Sequence, residues 1–309
     1  MAAFRFALQA SGAASPAAWR ALARKTEDLG FSTLYMPDHL EDQWAPMIAL
    51  AVAAEATTTL RVGTLVLDND FRHPVVVAKE AATLDVITGG RFELGMGAGW
   101  ARADYETSGI VMDPPAVRID RLAESLEIMR ALWSTGRATF SGVHYDVRDA
   151  VGTPPPVTSG GPPLVIGGGS RHILSLAGRY ADIVSIVPSL SAGVIGAEVA
   201  AESVLEKYVD RVAWVREAAG ARADALEFQC WTAAVQVVPN GEEVMAQLAP
   251  VFGLTAAQLR AAPIALIGSE GEIVETLRAR REELGFSYVV VHEAEMDALG
   301  PVIAELAGT

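Results

Sequence analysis

Short apolar runs alternate with longer amphipathic stretches along almost the whole chain. The apolar runs are rich in Val, Leu and Ile and carry few charges, which is typical of buried parallel strands. This pattern predicts eight strands, at residues 4–8, 32–36, 61–67, 91–97, 164–166, 182–187, 227–238 and 288–291.

The stretches between these runs have helical periodicity. In 117–134, for example, Leu122, Leu126, Met129 and Trp133 are three or four positions apart, so they share one helix face. The same reasoning predicts helices at 16–29, 46–57, 74–87, 117–134, 172–180, 242–262, 270–284 and 301–307, with one or two more within 190–220.

Eight β/α units in 309 residues predict a (β/α)8 TIM barrel, an α/β fold with its active site at the carboxyl ends of the strands. We expect a single domain over 1–309, with an insertion at about 138–163 after the helix that follows strand four. That insertion begins with a predicted hairpin, 138–147, and ends in a loop rich in Pro, Gly and Ser. An open doubly wound sheet is the alternative, but the turn after strand one lacks the Gly-x-Gly-x-x-Gly pattern that such a fold uses to bind dinucleotides.

Charge and cysteine content exclude several classes of protein. The chain has 24 Lys and Arg against 38 Asp and Glu, a net charge of −14, which argues against nucleic acid and anionic membrane surfaces as partners. The one cysteine, Cys230, cannot form an internal disulfide. No run approaches the roughly 20 apolar residues of a membrane span. We therefore expect a cytoplasmic protein.

Polar residues directly after the predicted strands are the candidates for chemistry. His39 follows strand two and is the candidate general acid or base, because histidine titrates near neutral pH. Its neighbour Asp38 is expected to orient a ring or hold a ligand. Gln236 lies near the predicted end of strand seven. His292 follows strand eight, and we favour a structural role for it.

Two glycine-rich segments also lie at strand ends. Gly167, Gly168, Gly169 and Ser170 precede a helix, where backbone N–H groups and the helix dipole favour a phosphate. Arg171 could add a compensating charge, so we expect a small electropositive pocket near Gly168. A tight turn is the structural alternative.

The second glycine-rich segment follows strand four. Gly97 and Gly99 would allow close packing of a flat ligand, with Trp100 as a wall of its site. A buried structural tryptophan is the alternative.

The predicted strand ends lack a lysine and a metal-ligand cluster, which argues against two enzyme classes. All three lysines fall within predicted helices, which disfavours a Schiff-base aldolase. No cluster of His, Asp and Glu has the spacing of a metal site, which disfavours a metal-dependent hydrolase.

Several segments resemble the luciferase-like monooxygenase superfamily, and most closely its branch of coenzyme F420-dependent oxidoreductases. The specific segment is 61–100, RVGTLVLDNDFRHPVVVAKEAATLDVITGGRFELGMGAGW; weaker matches are LGFSTLYMPDH at 29–39, RIDRLAESLEIMRALW at 118–133, PPLVIGGGS at 162–170 and 266–291. The resemblance implies a TIM barrel that binds a deazaflavin or flavin. It places Asp38 and His39 beside the cofactor ring, with His39 catalytic. It also implies a non-proline cis peptide at Leu65–Val66 against the ring, and a phosphate at the Gly167–Ser170 segment.

One departure from the family bears on the substrate. A sugar-phosphate dehydrogenase of this branch carries a glutamate directly after the strand-four glycines, where this chain has Trp100. The site is therefore expected to be more apolar, and the substrate to be a small, rather apolar organic molecule.

Three functions remain open. The first is an F420-dependent oxidoreductase, the second is an FMN-dependent monooxygenase, and the third is a protein that binds flavin or deazaflavin without turnover. The resemblance also implies a homodimer, formed through the helices predicted at 46–57 and 74–87.

Overall fold

Parallel strands form a closed ring at the centre of the fold. The computed structural model describes residues 2–190, 193, 199 and 201–309. The ring is built from β1 Arg5–Gln9, β2 Thr33–Met36, β3 Arg61–Thr64, β4 Leu67–Asp68, β5 Phe92–Gly97, β8 Leu164–Gly168, β9 Ile183–Ile186, β10 Glu227–Trp231 and β13 Phe286–His292. Strand β3 pairs with both β2 and β5, which closes the ring, and β4 continues β3. The predicted TIM barrel is confirmed.

Helices surround the ring. They are α1 Pro16–Asp28, α2 Pro46–Glu55, α3 Pro74–Thr88, α4 Arg102–Ser108, α5 Pro115–Thr135, α6 Arg171–Tyr180, α7 Leu205–Ala219, α8 Gly241–Leu248, α9 Ala256–Ala261, α10 Glu270–Leu284 and α11 Gly300–Leu306. Local sequence sets their ends: Ser15 caps α1 by accepting the Ala18 N–H, and Gly89 ends α3 with φ of 63°. Across the described residues, every helix is too short or too polar to cross a membrane.

Strand three differs from its prediction as one continuous run, 61–67. The chain divides into β3 and β4 around Leu65 and Val66, and the peptide bond between these two residues is cis. The expectation of a cis peptide at this position is confirmed. Val66 then lies between the ends of β3 and β5, at the carboxyl end of the barrel.

Strand seven was predicted over 227–238, and this is wrong in its second half. Only β10 belongs to the ring, whereas β11 Ala234–Val237 pairs with β12 Ala265–Gly268 in a separate two-stranded parallel sheet. The chain leaves the barrel here, where the Ala233 N–H donates to the Ile264 carbonyl at 2.8 Å. Because the ring is already closed, the backbone N–H and C=O groups of these two apolar runs form hydrogen bonds with each other outside it. Gln236 is exposed on this outer sheet and is not a residue of the catalytic face.

The insertion after α5 begins with the expected hairpin. Strands β6 Arg137–Ser141 and β7 Asp146–Val151 are antiparallel, and the Gly142 N–H binds the Tyr145 carbonyl at 2.9 Å across their turn. Part of the predicted helical stretch 190–220 lies outside the described residues, and its last part is α7.

A buried charged cluster fills the amino-terminal half of the barrel interior. Glu93 is 1% exposed and accepts hydrogen bonds from Arg5 at 2.5 Å and Arg61 at 2.7 Å. Burial alone would raise the pKa of Glu93, but these two guanidinium groups hold it below its usual value. The Tyr35 and Tyr288 hydroxyls also donate to this carboxylate. Side chains therefore fill this half of the barrel interior.

Candidate active site

A cavity of about 650 Å³ opens at the carboxyl ends of the barrel strands. Eleven of the residues that the sequence singled out for catalysis or cofactor binding line it: Asp38, His39, Leu65, Val66, Gly97, Gly99, Trp100, Gly167, Gly168, Gly169 and Ser170. The fold therefore brings residues from strands two to five to one place, as the strand-end argument predicts.

His39 is held by a carboxylate that lies 65 positions further along the chain. Its Nδ1 is 2.7 Å from Oδ2 of Asp104, and Oδ1 of Asp104 accepts the Leu40 N–H at 2.9 Å. Within the described chain, no protein group hydrogen bonds Nε2 of His39. The ring therefore has a fixed orientation, with Nε2 available to a bound molecule.

Asp38 does not orient His39, contrary to the sequence-based expectation. Its carboxylate binds the Arg72 guanidinium through both oxygens, and it also accepts the Asp68 N–H at 3.0 Å. With its oxygens occupied in this way, Asp38 fixes the backbone after strand three. The residue that fixes the histidine ring is Asp104, in the first turn of α4.

An apolar surface around Leu65 and Val66 forms the floor of the cavity. A Cβ on Gly97 would lie 2.5 Å from Cγ2 of Val66, so glycine at this position leaves room for the valine. A Cβ on Gly167 would lie 3.6 Å from Cγ1 of Val66, which is ordinary contact. The floor is thus shaped to take a flat group against apolar side chains.

Gly99 serves protein packing directly. Its φ is +76°, and a Cβ there would collide with the Tyr105 hydroxyl and with the Asp68 carboxylate. The Tyr105 hydroxyl itself donates to Asp68 Oδ2 at 3.0 Å. Trp100 follows as a partly exposed wall, with its ring edge-on to His39 at 5.5 Å between centroids.

The glycine-rich segment after strand five forms the start of α6. Ser170 is the N-cap residue, but its hydroxyl makes no capping hydrogen bond. A Cβ on Gly168 would collide with Ile173, and one on Gly169 would lie 2.5 Å from the Val187 carbonyl oxygen. The chain therefore packs tightly here, and the ten-residue helix α6 begins directly after Ser170, which lines the cavity.

Arg171 does not supply the positive charge that the sequence suggested for this segment. It is exposed, and its guanidinium pairs with Glu217 at 2.9 Å. A different buried arginine, Arg211, supports the segment from behind by donating to the Gly169 carbonyl at 3.0 Å.

Asp104 and Arg118 are among the polar residues of the cavity that sequence reasoning missed. Asp68, directly after strand three, also lines the cavity. Burial raises the pKa of Asp68 to about 7, and the nearby carboxylates of Asp70 and Asp38 act in the same direction. A signal for Arg118 was present, because it lies one turn before Leu122 on the face of α5 that carries the buried residues Leu122 and Leu126.

The far side of the cavity is mostly apolar. Trp231 donates to the Gln9 side-chain oxygen at 2.6 Å, and its ring faces the cavity beside Ile264 and Phe252. Nε2 of His292 instead donates to the Thr232 carbonyl oxygen at 3.0 Å, and this residue is not among those that line the cavity. Its expected structural role agrees with this position.

Over the ranges that the structure describes, no group of three or more His, Cys, Asp or Glu side chains could hold a metal ion.

Comparison with known sequences identifies a protein family and several relatives. A model of the luciferase-like monooxygenase family matches residues 1–263. The 4-hydroxyprotoasukamycin monooxygenase of Streptomyces nodosus subsp. asukaensis is 36% identical over 171 residues, which cover 52% of this chain and 45% of that protein. The F420-dependent glucose-6-phosphate dehydrogenase of Intrasporangium calvum is 27% identical over 292 residues, which cover 87% of this chain and 86% of that protein. For the first curated relatives, the matched part spans only 45% to 64% of their length.

Comparison with solved structures supports the same fold. The coenzyme F420-dependent tetrahydromethanopterin reductase from Methanopyrus kandleri superposes with a TM-score of 0.77 at 19% identity, covering 99% of this chain and 100% of that one.

Proposed function

The chain belongs to the luciferase-like monooxygenase family, and we propose that it is an oxidoreductase that uses the deazaflavin coenzyme F420. The observation that carries this proposal is the cavity, which joins an apolar floor, a histidine with a free Nε2 and a glycine-rich helix start. Similarity to an F420-dependent dehydrogenase over 87% of the chain supports the choice of cofactor.

The residues present fit such a cofactor on two observations. The glycine-rich segment at Gly168 and Gly169 leaves no room for side chains, and the Ser170 hydroxyl makes no capping hydrogen bond. Arg118 also lines the cavity, and its Nε and Nη1 are buried without a hydrogen-bond partner among the described residues. A flat ring would lie on Leu65 and Val66, with its phosphate toward the start of α6.

In the reaction, the protein itself would position the cofactor ring and the substrate and would move one proton. When bound, a deazaflavin supplies a carbon that carries a hydride. Nε2 of His39 would give or take the accompanying proton, and Asp104 keeps that nitrogen directed at the substrate. Water is limited by the walls of Trp100 and Trp231. The reaction is reduction of an activated double bond or oxidation of an alcohol.

We propose a small, rather apolar substrate. By the family resemblance, Trp100 stands where a sugar-phosphate dehydrogenase of the F420 branch carries a glutamate. Trp231, Phe252 and Ile264 line the space beyond the floor. In these surroundings a phosphorylated sugar would lose most of its hydration with few partners in return.

Replacement of His39 tests its proposed role. We expect His39→Ala to lower kcat by roughly 10²- to 10⁴-fold, the usual contribution of a general acid or base, while the Kd of the cofactor changes little. Asp104→Asn should give a smaller loss, because the ring is retained but its orientation is weakened. His144→Ala, in the hairpin outside the cavity, is the matched control. Unchanged turnover in His39→Ala would remove this residue from catalysis.

A monooxygenase that uses reduced FMN is the second candidate function. The similarity to a Streptomyces monooxygenase favours it, and a phosphate site at α6 would serve either cofactor. Titration of the purified protein with F420 and FMN, followed by fluorescence, separates the two. Tight binding of FMN without binding of F420 would refute the first proposal. Binding of F420 without turnover across a broad substrate panel would favour a binding protein.

We also propose a homodimer formed through α2 and α3. Large apolar side chains are exposed on both helices, including Ile48 at 73% and Ile87 at 50%. Ile48→Glu should shift the sedimentation coefficient from dimer to monomer. Val143→Glu, in the hairpin at a position that is 89% exposed, should not. A monomeric parent protein would contradict the proposal.

A further inference from the structure

Gln9 brings a polar side chain into the cavity from the end of β1. Successive residues of a strand point to opposite faces of the sheet. Arg5 binds Glu93 inside the barrel, and Ala7 belongs to an interior cluster with Tyr35. Gln9 is on the same face of the strand, so its side chain points into the barrel at the carboxyl end, where it is half-buried and lines the cavity.

A hydrogen bond from Trp231 fixes the orientation of the Gln9 amide. Nε1 of Trp231 is 2.6 Å from Oε1 of Gln9. Because an indole N–H can only donate, its partner must be the amide oxygen, and the amide nitrogen points away from the indole. The Trp231 ring in turn lies edge-on to His292, with 5.1 Å between centroids. A turned amide would lose the bond to Trp231, so one orientation is preferred.

Nε2 of Gln9 is left as a hydrogen-bond donor. Within the part of the chain that the structure describes, no group accepts a hydrogen bond from this nitrogen. Because the amide oxygen already accepts from Trp231, the amide offers chiefly N–H groups to a bound molecule. A molecule that presents an oxygen would gain a hydrogen bond here, whereas one that presents an N–H would place a donor against a donor.

Gln9 and Trp231 lie across the barrel from the proposed position of the cofactor ring. Strand β10, which carries Trp231, is four positions from β3 in both directions around the barrel, and Leu65 and Val66 directly follow β3. A flat cofactor ring on Leu65 and Val66 would therefore leave space between itself and Trp231. Ile264 lines this side of the cavity too. The free donor of Gln9 thus belongs to the side that remains for the substrate.

We propose that Nε2 of Gln9 binds an oxygen of the substrate, and that the substrate couple includes a small carbonyl compound with an apolar body. This inference rests on the proposed function. Trp231 is a positioning residue, because it acts through the Gln9 amide. The carbonyl group either activates a double bond for hydride addition, or it forms when the carbon of an alcohol gives up a hydride and its oxygen gives up a proton.

The test compares ligands that differ only in the oxygen. Each ketone of a small panel, with cyclohexanone and 2-heptanone among them, is paired with the alkene in which CH2 replaces the carbonyl oxygen. Kd is measured by ligand-observed NMR on protein loaded with oxidised F420, which has no hydride to give. We expect Gln9→Met to bind the ketones roughly 3- to 10-fold more weakly, the usual effect of losing a neutral hydrogen bond, and the alkenes equally well.

Two further variants separate a binding role from a structural one. Trp231→Phe keeps a ring but removes the N–H that holds the amide, so it should weaken ketone binding by less than Gln9→Met does. Gln236→Met makes the same substitution at an exposed glutamine of β11 and should match the parent. Infrared spectra of a ketone labelled with ¹³C at the carbonyl give a direct readout. The stretch of the bound ketone should lie lower in the parent than in Gln9→Met, because a hydrogen bond weakens the C=O bond.

Three results would overturn the proposal. The first is that the parent binds no ketone of the panel, or that Gln9→Met changes ketone and alkene binding equally. The second is a carbonyl stretch that is the same in the parent and in Gln9→Met. The third is weaker binding of F420 by Gln9→Met with unchanged binding of ketones, which would assign Gln9 to the cofactor ring.

Failure of this inference can be told apart from failure of the proposed function. If the parent binds neither F420 nor FMN, the proposed function fails. The same titrations on the cofactor-free protein then test Gln9: a loss confined to the ketones in Gln9→Met supports its role, and equal binding refutes it. If the parent binds F420 and Gln9→Met does not discriminate between ketones and alkenes, only the inference about Gln9 fails.

Discussion

Replacement of Gly99 by alanine tests how the wall of the cavity is built. This glycine has φ of +76°, and a methyl group there would collide with the Tyr105 hydroxyl and the Asp68 carboxylate. Tyr105 is only 2% exposed, so its ring cannot move into solvent. Gly109, at the end of α4, provides the matched control: its φ is +74°, and a Cβ there would have no atom within 4 Å.

The two substitutions share one energetic cost and differ in a second. A left-handed conformation costs a non-glycine residue about 1–2 kcal/mol, and both variants would bear this cost. Gly99→Ala would also break the hydrogen bond of 3.0 Å between Tyr105 and Asp68, which at roughly 1.5–3 kcal/mol for a charged acceptor brings its total cost to about 2.5–5 kcal/mol. Gly109→Ala should therefore lose about 1–2 kcal/mol, and Gly99→Ala about 1.5–3 kcal/mol more.

Urea unfolding followed by circular dichroism measures this difference. The free energy of unfolding is obtained from the midpoint and the slope for the parent and both variants. The cofactor Kd is a second readout, because Tyr105 also contacts Arg118. Equal destabilisation of the two variants would refute the reasoning, since it would mean that the Tyr105–Asp68 contact adds nothing to the conformational cost at Gly99.

Three further predictions follow from individual buried or capping groups. The pKa of Asp68 is raised from 3.8 to about 7, so between these pH values the folded protein holds a proton that the unfolded chain has lost. Stability therefore falls as pH rises, by at most about 1.4 kcal/mol per pH unit. Asp68→Asn should remove this slope in urea titrations at pH 4 to 7. Desolvation would raise the pKa of Glu27, but backbone N–H groups of Thr58, Thr59 and Leu60 lower it from 4.5 to about 2. The contribution of Glu27 to stability is therefore present above pH 4.5 and lost as pH falls toward 2. Glu27→Gln should cost roughly 1–3 kcal/mol of unfolding free energy at pH 7 and flatten the dependence of stability on pH in acid. Burial raises the pKa of Cys230 to about 12, so a thiol reagent should label it only after urea unfolding; rapid labelling of the native protein would contradict its burial.

Local sequence was sufficient for most of the fold. The alternation of apolar runs and amphipathic helices predicts the barrel because the apolar residues of each β/α unit are recognisable from that unit alone, largely independently of distant residues. The exception, the outer pair β11 and β12, shows the limit. Residues 234–237 and 265–268 are each as apolar as a barrel strand, and only closure of the ring with eight positions excludes them from it.

The cavity was predictable in outline and not in detail. Glycine-rich segments and His39 at strand ends mark its location, because the carboxyl ends of all barrel strands meet at one face. Its hydrogen bonds were not predictable. Asp38 is adjacent to His39 in sequence, but neighbouring residues at a strand end point in different directions, and the partner of His39 is Asp104 on another helix.

The barrel, the family and the residues at the mouth of the strands thus follow from the sequence. The pairing of carboxylates with cations depends on three-dimensional packing: Asp38 pairs with Arg72 and Asp104 with His39, while Nε and Nη1 of Arg118 have no hydrogen-bond partner among the described residues. The reason is physical. Strand and helix patterns are local and repeat with a fixed period. The pairing of charged side chains depends instead on their distance and burial, and distance and burial depend on how the whole chain packs.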